Sequence, residues 1–319
     1  MLPGLTRMPA VHKRRCQSVR EAKAFLSLLF LFVLSPCVSA QVLVTFPVGE
    51  SPEGIACDGT YVWVASQFSN IVTKLRARDG AEVGTYRVGT RPVAVLFDGS
   101  NIWVSNLVSG TVTKLRPRDG ALLGTFSAGT TPGDMAFDGT NLWVANRDGD
   151  RVTKLRAADG AIVGTYPVGS RPMGLAFDGA HIWVANNMDG TITKLRASDG
   201  SAVGTFPAGE SPFGLAFDGT NIWVANFFAD SVTKLRARDG AKVGTFYVGS
   251  SPARLIYDGT NIWVTNNGSD NVVVLRKKNG SILRTYGAGK DPFGIAFDGV
   301  NIWVANSGDN TVSSSISLL

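Results

Sequence analysis

Side chains able to do chemistry are few in this sequence, and most recur at a fixed interval. Beyond residue 40 there is one histidine, His181, and one cysteine, Cys57. Neither has the companions a nucleophile needs, and no Ser-His-Asp set or phosphate-binding loop is present. Asp148-Gly149-Asp150 is a fragment of a calcium loop without the rest of the ligand series. What remains is carboxylates and amides. Glu50, Glu53, Asp134 and Asp291 could converge from three parts of the chain, and Asn106, Asn146, Asn186, Asn226, Asn266 and Asn306 stand in phase with one another. Oxygen ligands of this kind can hold a divalent ion and let it polarise a substrate. Six near-identical asparagines cannot all serve one ion, so capping the loop after a strand is the simpler role. Arg91, Arg171, Arg254 and Lys290 accompany the carboxylates. Carboxylates neutralised by these cations would make a binding surface; oxygens gathered at one point would make a metal-dependent enzyme. No cofactor is specified, and a divalent ion is left as the open alternative.

The interval belongs to a repeat. Trp occurs at 63, 103, 143, 183, 223, 263 and 303, and Asp-Gly at 58, 98, 138, 178, 218, 258 and 298. A 40-residue period dictates architecture before any other consideration. One unit, 211–249, holds four runs rich in Val, Ile, Thr, Phe and Trp: 214–217, 221–225, 231–236 and 242–248, here named a to d. Such residues suit half-buried pleated surfaces, and the Asp-Gly pairs between a and b and between c and d supply the positive φ of tight hairpins. No run has a capped helical period.

Seven four-stranded units imply an all-β protein, a seven-bladed β-propeller with four antiparallel strands per blade. Neither end looks like the polar cap of an open solenoid. The segment 42–49 is a d-type strand with no a, b or c before it, and the chain ends on a c-type strand with no d after it. The N-terminal strand is therefore expected to complete the last blade and remove an exposed edge. The Trp column is expected to pack between blades.

This topology sorts the loops. The a–b and c–d turns share one rim, which is nearly constant between copies. The b–c loops and d–a crossovers share the other, which varies: the crossovers read GESPEG, GTRPVA, GTTPGD, GSRPMG, GESPFG, GSSPAR and GKDPFG. A repeat protein that recognises something diversifies its binding rim and keeps its scaffold. The candidate ligand-binding residues are Glu53, Arg91, Asp134, Arg171, Met173, Phe213, Phe227, Phe228, Arg254 and Phe293. The residue after each crossover proline is expected to point toward the channel mouth, where Met173, Phe213 and Phe293 either floor a site or plug the channel. His181 starts a b strand on the constant rim, and Cys57 stands where the other blades have Phe or Tyr. His181 reads as a tolerated substitution, and Cys57 as a buried small apolar residue. The TKLR motif of strand c reads as a solvated, charge-mixed flank.

Strand b carries a family mark: WVAN at Trp143, Trp183, Trp223 and Trp303, WVSN at Trp103, WVTN at Trp263 and WVAS at Trp63. With the Pro-x-Gly turn before strand a, this resembles the YVTN-type, NHL-like β-propeller repeats, over essentially all of 41–319. The resemblance implies the propeller fold and a superfamily that includes virginiamycin B lyase, lactonase-like enzymes and sensor modules. Lyase chemistry in that superfamily uses His and Glu around a metal on the loop face, and here that face has no His. Fold alone does not decide function.

Charge excludes one class of partner. Of the 31 basic residues, Arg7, Lys13, Arg14, Arg15, Arg20 and Lys23 lie in the first 40, with only Glu21 opposing them. The rest of the chain is nearly neutral, so nucleic acid is not expected as a partner. The basic stretch, the apolar run 24–34 and Val38 and Ala40 read as a signal peptide over 1–40, ahead of a propeller domain at 41–319. A secreted or periplasmic location follows, with no transmembrane segment after cleavage. Cys37 leaves a lipid anchor open. The expected partner is a protein, peptide or small ligand at the variable rim, bound by a monomer.

Overall fold

The computed structural model describes residues 44–315, and the signal-peptide expectation lies outside them. The propeller belongs to the compact unit Gln41–Leu319. Its strands form seven four-stranded antiparallel sheets. Blade five shows the plan, with strand a at Pro212–Phe217, b at Asn221–Asn226, c at Ser231–Arg236 and d at Lys242–Tyr247. Strand b is buried along its whole length, as its unbroken apolar run requires. Strand d alternates between exposed and half-buried residues, as an outer strand must.

The ring closes as the strand count demands. Val44–Pro47 pairs antiparallel with Thr311–Ser314, in the register Phe46 to Val312 and Pro47 to Thr311. Phe46 packs 5.8 Å from Trp303. The Val48 amide donates to the Asn310 carbonyl at 3.0 Å, and the Ser51 amide to Asn310 Oδ1 at 2.8 Å. The first strand thus takes the place of strand d in blade seven, and the b–c loop of that blade is tied to the start of blade one.

Neighbouring blades are held by one device repeated. Trp223 is fully buried against Leu255, Ile262, Val264 and Leu275 of blade six. Its Nε1 donates to Asp218 Oδ2 at 2.7 Å, while Asp218 Oδ1 accepts the amides of Thr220 and Asn221. The Asp-Gly turn therefore serves both as a turn and as the anchor of the indole. Only Trp263 is less enclosed; it stacks on Tyr286 at 5.6 Å with the planes 10° apart.

The TKLR motif departs from the expected solvated flank. Lys74, Lys114, Lys154, Lys194 and Lys234 are buried. Lys194 Nζ donates to the Ala237 carbonyl of the next blade at 2.7 Å and lies 4.8 Å from the Trp183 ring. Carbonyl oxygens and an indole face replace water around the ammonium, so burial is tolerated. The arginines two residues on do remain at the surface, paired with turn aspartates such as Asp239. Val274 and Ser314 replace the lysine in blades six and seven.

At the axis the a strands crowd together. A Cβ at Gly174 would collide with the Phe213 carbonyl, and one at Gly294 with the Glu53 carbonyl. The equivalent positions Asp134 and Arg254 are the two at which a long side chain stands instead.

Candidate functional site

Each strand a begins with a register irregularity after its proline, as between Pro132 and Met135 and between Pro252 and Arg254. The extra residue shifts which side chain meets the channel. Glu53 and Val93, directly after their prolines, do line it, but in blades three and six the second residue does so, as Asp134 and Arg254. Met173, expected at the mouth, is instead buried within strand a of blade four, which offers Leu175 to the channel.

Arg254 of blade six reaches across to Asp134 of blade three, with Nη1 to Oδ2 at 2.6 Å. Asp134 also accepts the Leu175 amide of blade four at 3.1 Å. The Arg254 guanidinium lies 5.3 Å from the Phe213 ring and 5.8 Å from Phe293. Phe213 and Phe293, from blades five and seven, meet edge to face at 5.4 Å. Phe213 contacts Phe227 at 5.7 Å, and Phe227 contacts Phe228 at 5.3 Å. Four phenylalanines thus run from an exposed loop tip to the bridged channel. Of the two readings of Phe213 and Phe293, this favours a cover over the channel. Beneath lies a chamber of about 180 Å3, lined by the charges and by Ile55, Val95, Met135, Leu175, Leu215, Leu255 and Ile295.

A second charge cluster adjoins the bridge. Glu53 Oε1 accepts from Gln67 Nε2 at 2.9 Å, and Gln67 Oε1 accepts from Arg91 Nη2 at 3.0 Å. Burial pushes the Glu53 carboxyl above its ordinary range, against the pull of Arg147, Arg254 and Arg91. Arg147, in the b–c loop of blade three, lies over Gly133. Burial is the largest influence on it and draws its guanidinium down to about 10, partly opposed by Glu53 and Asp134. Its Nε is enclosed and has no hydrogen-bond partner. Arg171 is exposed, and its charge acts on Arg147. Sequence reasoning left Arg147 out of the site. The available signal was Gly133, the one glycine directly after a crossover proline, which makes room for a long side chain opposite.

The b–c loops divide by position. The first residue turns inward, as Gln67, Arg147, Asn187 and Phe227 do. The second is bare in blades one, two, four and five: Phe68 is 60% exposed, Val108 59%, Met188 69% and Phe228 69%. Large apolar side chains thus stand in solvent at four loop tips of this rim.

The residues weighed as metal ligands do not form one cluster. The six asparagines are buried, and their Nδ2 groups donate into the fold, as Asn186 does to Thr191 and Thr193 of strand c. Oδ1 accepts a crossover amide in Asn186 and Asn306, whereas in Asn106, Asn146, Asn226 and Asn266 it is enclosed without a donor. Asp150 Oδ1 accepts the Arg171 amide at 2.8 Å. Glu50 is exposed on its crossover, apart from the chamber lining. Among the described residues no three His, Cys, Asp or Glu side chains converge as a metal would require.

The opposite opening of the channel is an apolar funnel of about 520 Å3, walled by Phe97, Phe137, Phe177, Phe217 and Tyr257. Cys57 takes the equivalent place in blade one and is half-buried rather than enclosed; burial, with Asp298 and Asp58 nearby, pushes its thiol well up. His181 lies on this rim, its Nδ1 3.3 Å from Asp178.

These features define a seven-bladed β-propeller whose channel is closed at one mouth by a charge bridge under aromatic side chains. The family model described as outer membrane protein assembly factor BamB matches residues 108–283, more than half of the chain, and the protein belongs to that family. Among solved structures it is similar to a streptogramin B lyase (TM-score 0.74, 20% identity, covering 86% of this chain and 96% of that one). Virginiamycin B lyase from Staphylococcus aureus is similar at 0.74 and 19% identity, covering 86% and 98%. So is Kuenenia stuttgartiensis hydrazine synthase at 0.72 and 18%, covering 83% and 95%. At these identities the likeness is one of fold. Among curated proteins no relative matches. No helix among the described residues is long and apolar enough to cross a membrane.

Proposed function

We propose that this chain is a non-catalytic exported propeller that binds a peptide or protein segment on its b–c and d–a face. One observation carries the reading: four b–c loops hold Phe68, Val108, Met188 and Phe228 in solvent around a mouth whose carboxylates already have partners. Apolar anchors around a polar, structured centre suit a peptide better than a reacting small molecule. The family description, an assembly factor of the outer membrane, fits an exported binding role. The WVAN mark makes these repeats a YVTN-type, NHL-like variant of the propeller, acting as a monomer in the periplasm or outside the cell.

The test is selection from a random peptide display library on the immobilised chain. Selected peptides should bind at about micromolar Kd, typical of modest interfaces. The triple variant Phe68→Ser, Met188→Ser, Phe228→Ser should weaken them at least about tenfold. The constant-rim variant Val300→Ser should leave them unchanged. Peptides unaffected by the triple variant would overturn the assignment. The rival reading is a metal-dependent lyase or lactonase-type hydrolase at the channel mouth. A thermal shift with calcium, magnesium, manganese or zinc would favour it.

A further inference from the structure

We propose that the mouth on the variable face contains an anion subsite, built by Arg147 with Arg91 and Arg254, that takes a carboxylate of the bound peptide. This names the chemistry of the ligand and rests on the peptide-binding reading above.

Three observations support it. First, the charges do not balance: Arg91, Arg147, Arg171 and Arg254 act in this region against Glu53 and Asp134. Second, the guanidiniums differ in what they already hold. Arg254 is spent on Asp134, and Arg91 Nη2 is spent on Gln67, although Arg91 Nε is enclosed without an acceptor and remains available. The Arg147 side chain makes no ion pair or hydrogen bond among the described residues, and its enclosed Nε is a donor without an acceptor. A buried donor left unmet is costly, so such a group is normally completed by something. Third, room for Arg147 is built into the backbone. Gly133 lies against it, and any side chain there would displace the guanidinium.

Glu53 already approaches as a carboxylate would. It feels Arg147, Arg254 and Arg91, yet no ion pair joins it to any of them, and its hydrogen bond goes to Gln67. Glu53 is thus an internal competitor held short of contact. A ligand carboxylate reaching Arg147 makes the charge-assisted, planar contact that arginine favours. The exposed Phe68 ring lies 5.7 Å from the Arg91 guanidinium, at the edge of the subsite.

The direct test uses arginine Nε–H resonances of the purified chain, with the Arg147 signal assigned by its loss in Arg147→Lys. Sodium acetate should shift that signal, and Arg147→Gln should weaken acetate binding about tenfold, the usual scale of one charged hydrogen bond. Glu53→Gln should strengthen it severalfold, because the competitor is gone. Opposite signs from two adjacent variants cannot come from general damage to the fold. An unmoved Arg147 signal, or weaker binding in Glu53→Gln, overturns the subsite. Inorganic phosphate, used as a comparison, should bind no tighter than acetate; tighter binding overturns the assignment to a carboxylate.

Peptides separate this from the underlying reading. One displayed peptide is made with a free C-terminus and no acidic residue, as its amide, and as an amide carrying one Asp. Equal binding by all three refutes the subsite and leaves rim binding intact. An acetate shift without any peptide binding refutes rim binding and leaves the subsite. Tighter binding by the free acid assigns the C-terminal carboxylate, and by the Asp amide a side chain.

Discussion

Asp218 and Glu53 are carboxylates at opposite ends of strand a, and they report how differently the two rims are built. Asp218 is buried at the turn into strand b, and burial alone would push its carboxyl up. Donation from Trp223 Nε1, the Asn221 amide and side chain and the Thr220 amide outweighs that and holds it below the usual range. Glu53 is buried too, but a single side-chain hydrogen bond and three uncontacted arginines leave burial dominant. On the constant rim the carboxylate of each Asp-Gly turn between strands a and b takes an indole N–H and two amides from its own blade, in the same way seven times. On the variable rim the partners come from different blades, as Asp134 and Arg254 do, and some positions are left open. A scaffold satisfies its groups locally; a binding face keeps some in reserve.

The largest expected effect falls on the constant rim. Asp218→Ala strands a buried indole N–H and two amides, and should cost on the order of 3–5 kcal/mol in urea unfolding, from about 1–3 kcal/mol per orphaned group. A loss under about 1 kcal/mol would mean that the rim is not the scaffold described. Lys194→Met removes one tie between blades four and five, yet also removes a buried charge. Blade six manages with Val274. A cost of about 1–2 kcal/mol is expected, read as a lower denaturation midpoint.

Titration sharpens the contrast through its sign. The depressed Asp218 contributes stability above the ordinary Asp pKa of about 3.9, lost as pH falls through its lower folded value. The raised Glu53 does the reverse: its stabilisation is present below the ordinary value of about 4.3 and is lost as pH rises through its folded value. Glu53→Gln should therefore raise Tm at pH 7, with the gain fading below about pH 4. Asp218→Asn should lower Tm at pH 7, with the loss shrinking on acidification. Matching signs would erase the distinction between the rims. The smallest effect is Phe228→Ser, under about 0.5 kcal/mol on stability because the ring is already in solvent; equilibrium denaturation checks it.

The fold was legible because the repeat is nearly perfect: Trp, Asp-Gly and the unpaired first strand imposed blade number, strand order and closure. The site was legible only in outline. Glu53 lines the channel where loop reasoning puts it, but past the irregularity after each proline Asp134 and Arg254 line it as well, while Met173 is enclosed. The Asp134 to Arg254 contact joins equivalent positions three repeats apart, and the repeat alone does not show that they meet across the channel. The lysines of TKLR misled because their carbonyl acceptors lie 43 residues ahead, on the next blade. Arg147 was hidden because a repeat analysis weights what recurs, and this residue occurs once.

The proposed binding role requires partners to engage the varied loops and not the aromatic funnel behind them. Hydrogen exchange by mass spectrometry, on the chain with and without a selected peptide, tests it directly. Slowed exchange confined to the loops around Phe68, Val108, Met188 and Phe228 is the predicted result. Protection at the ends of the a strands, around Phe137, Phe177 and Phe217, with those loops unchanged, would contradict it.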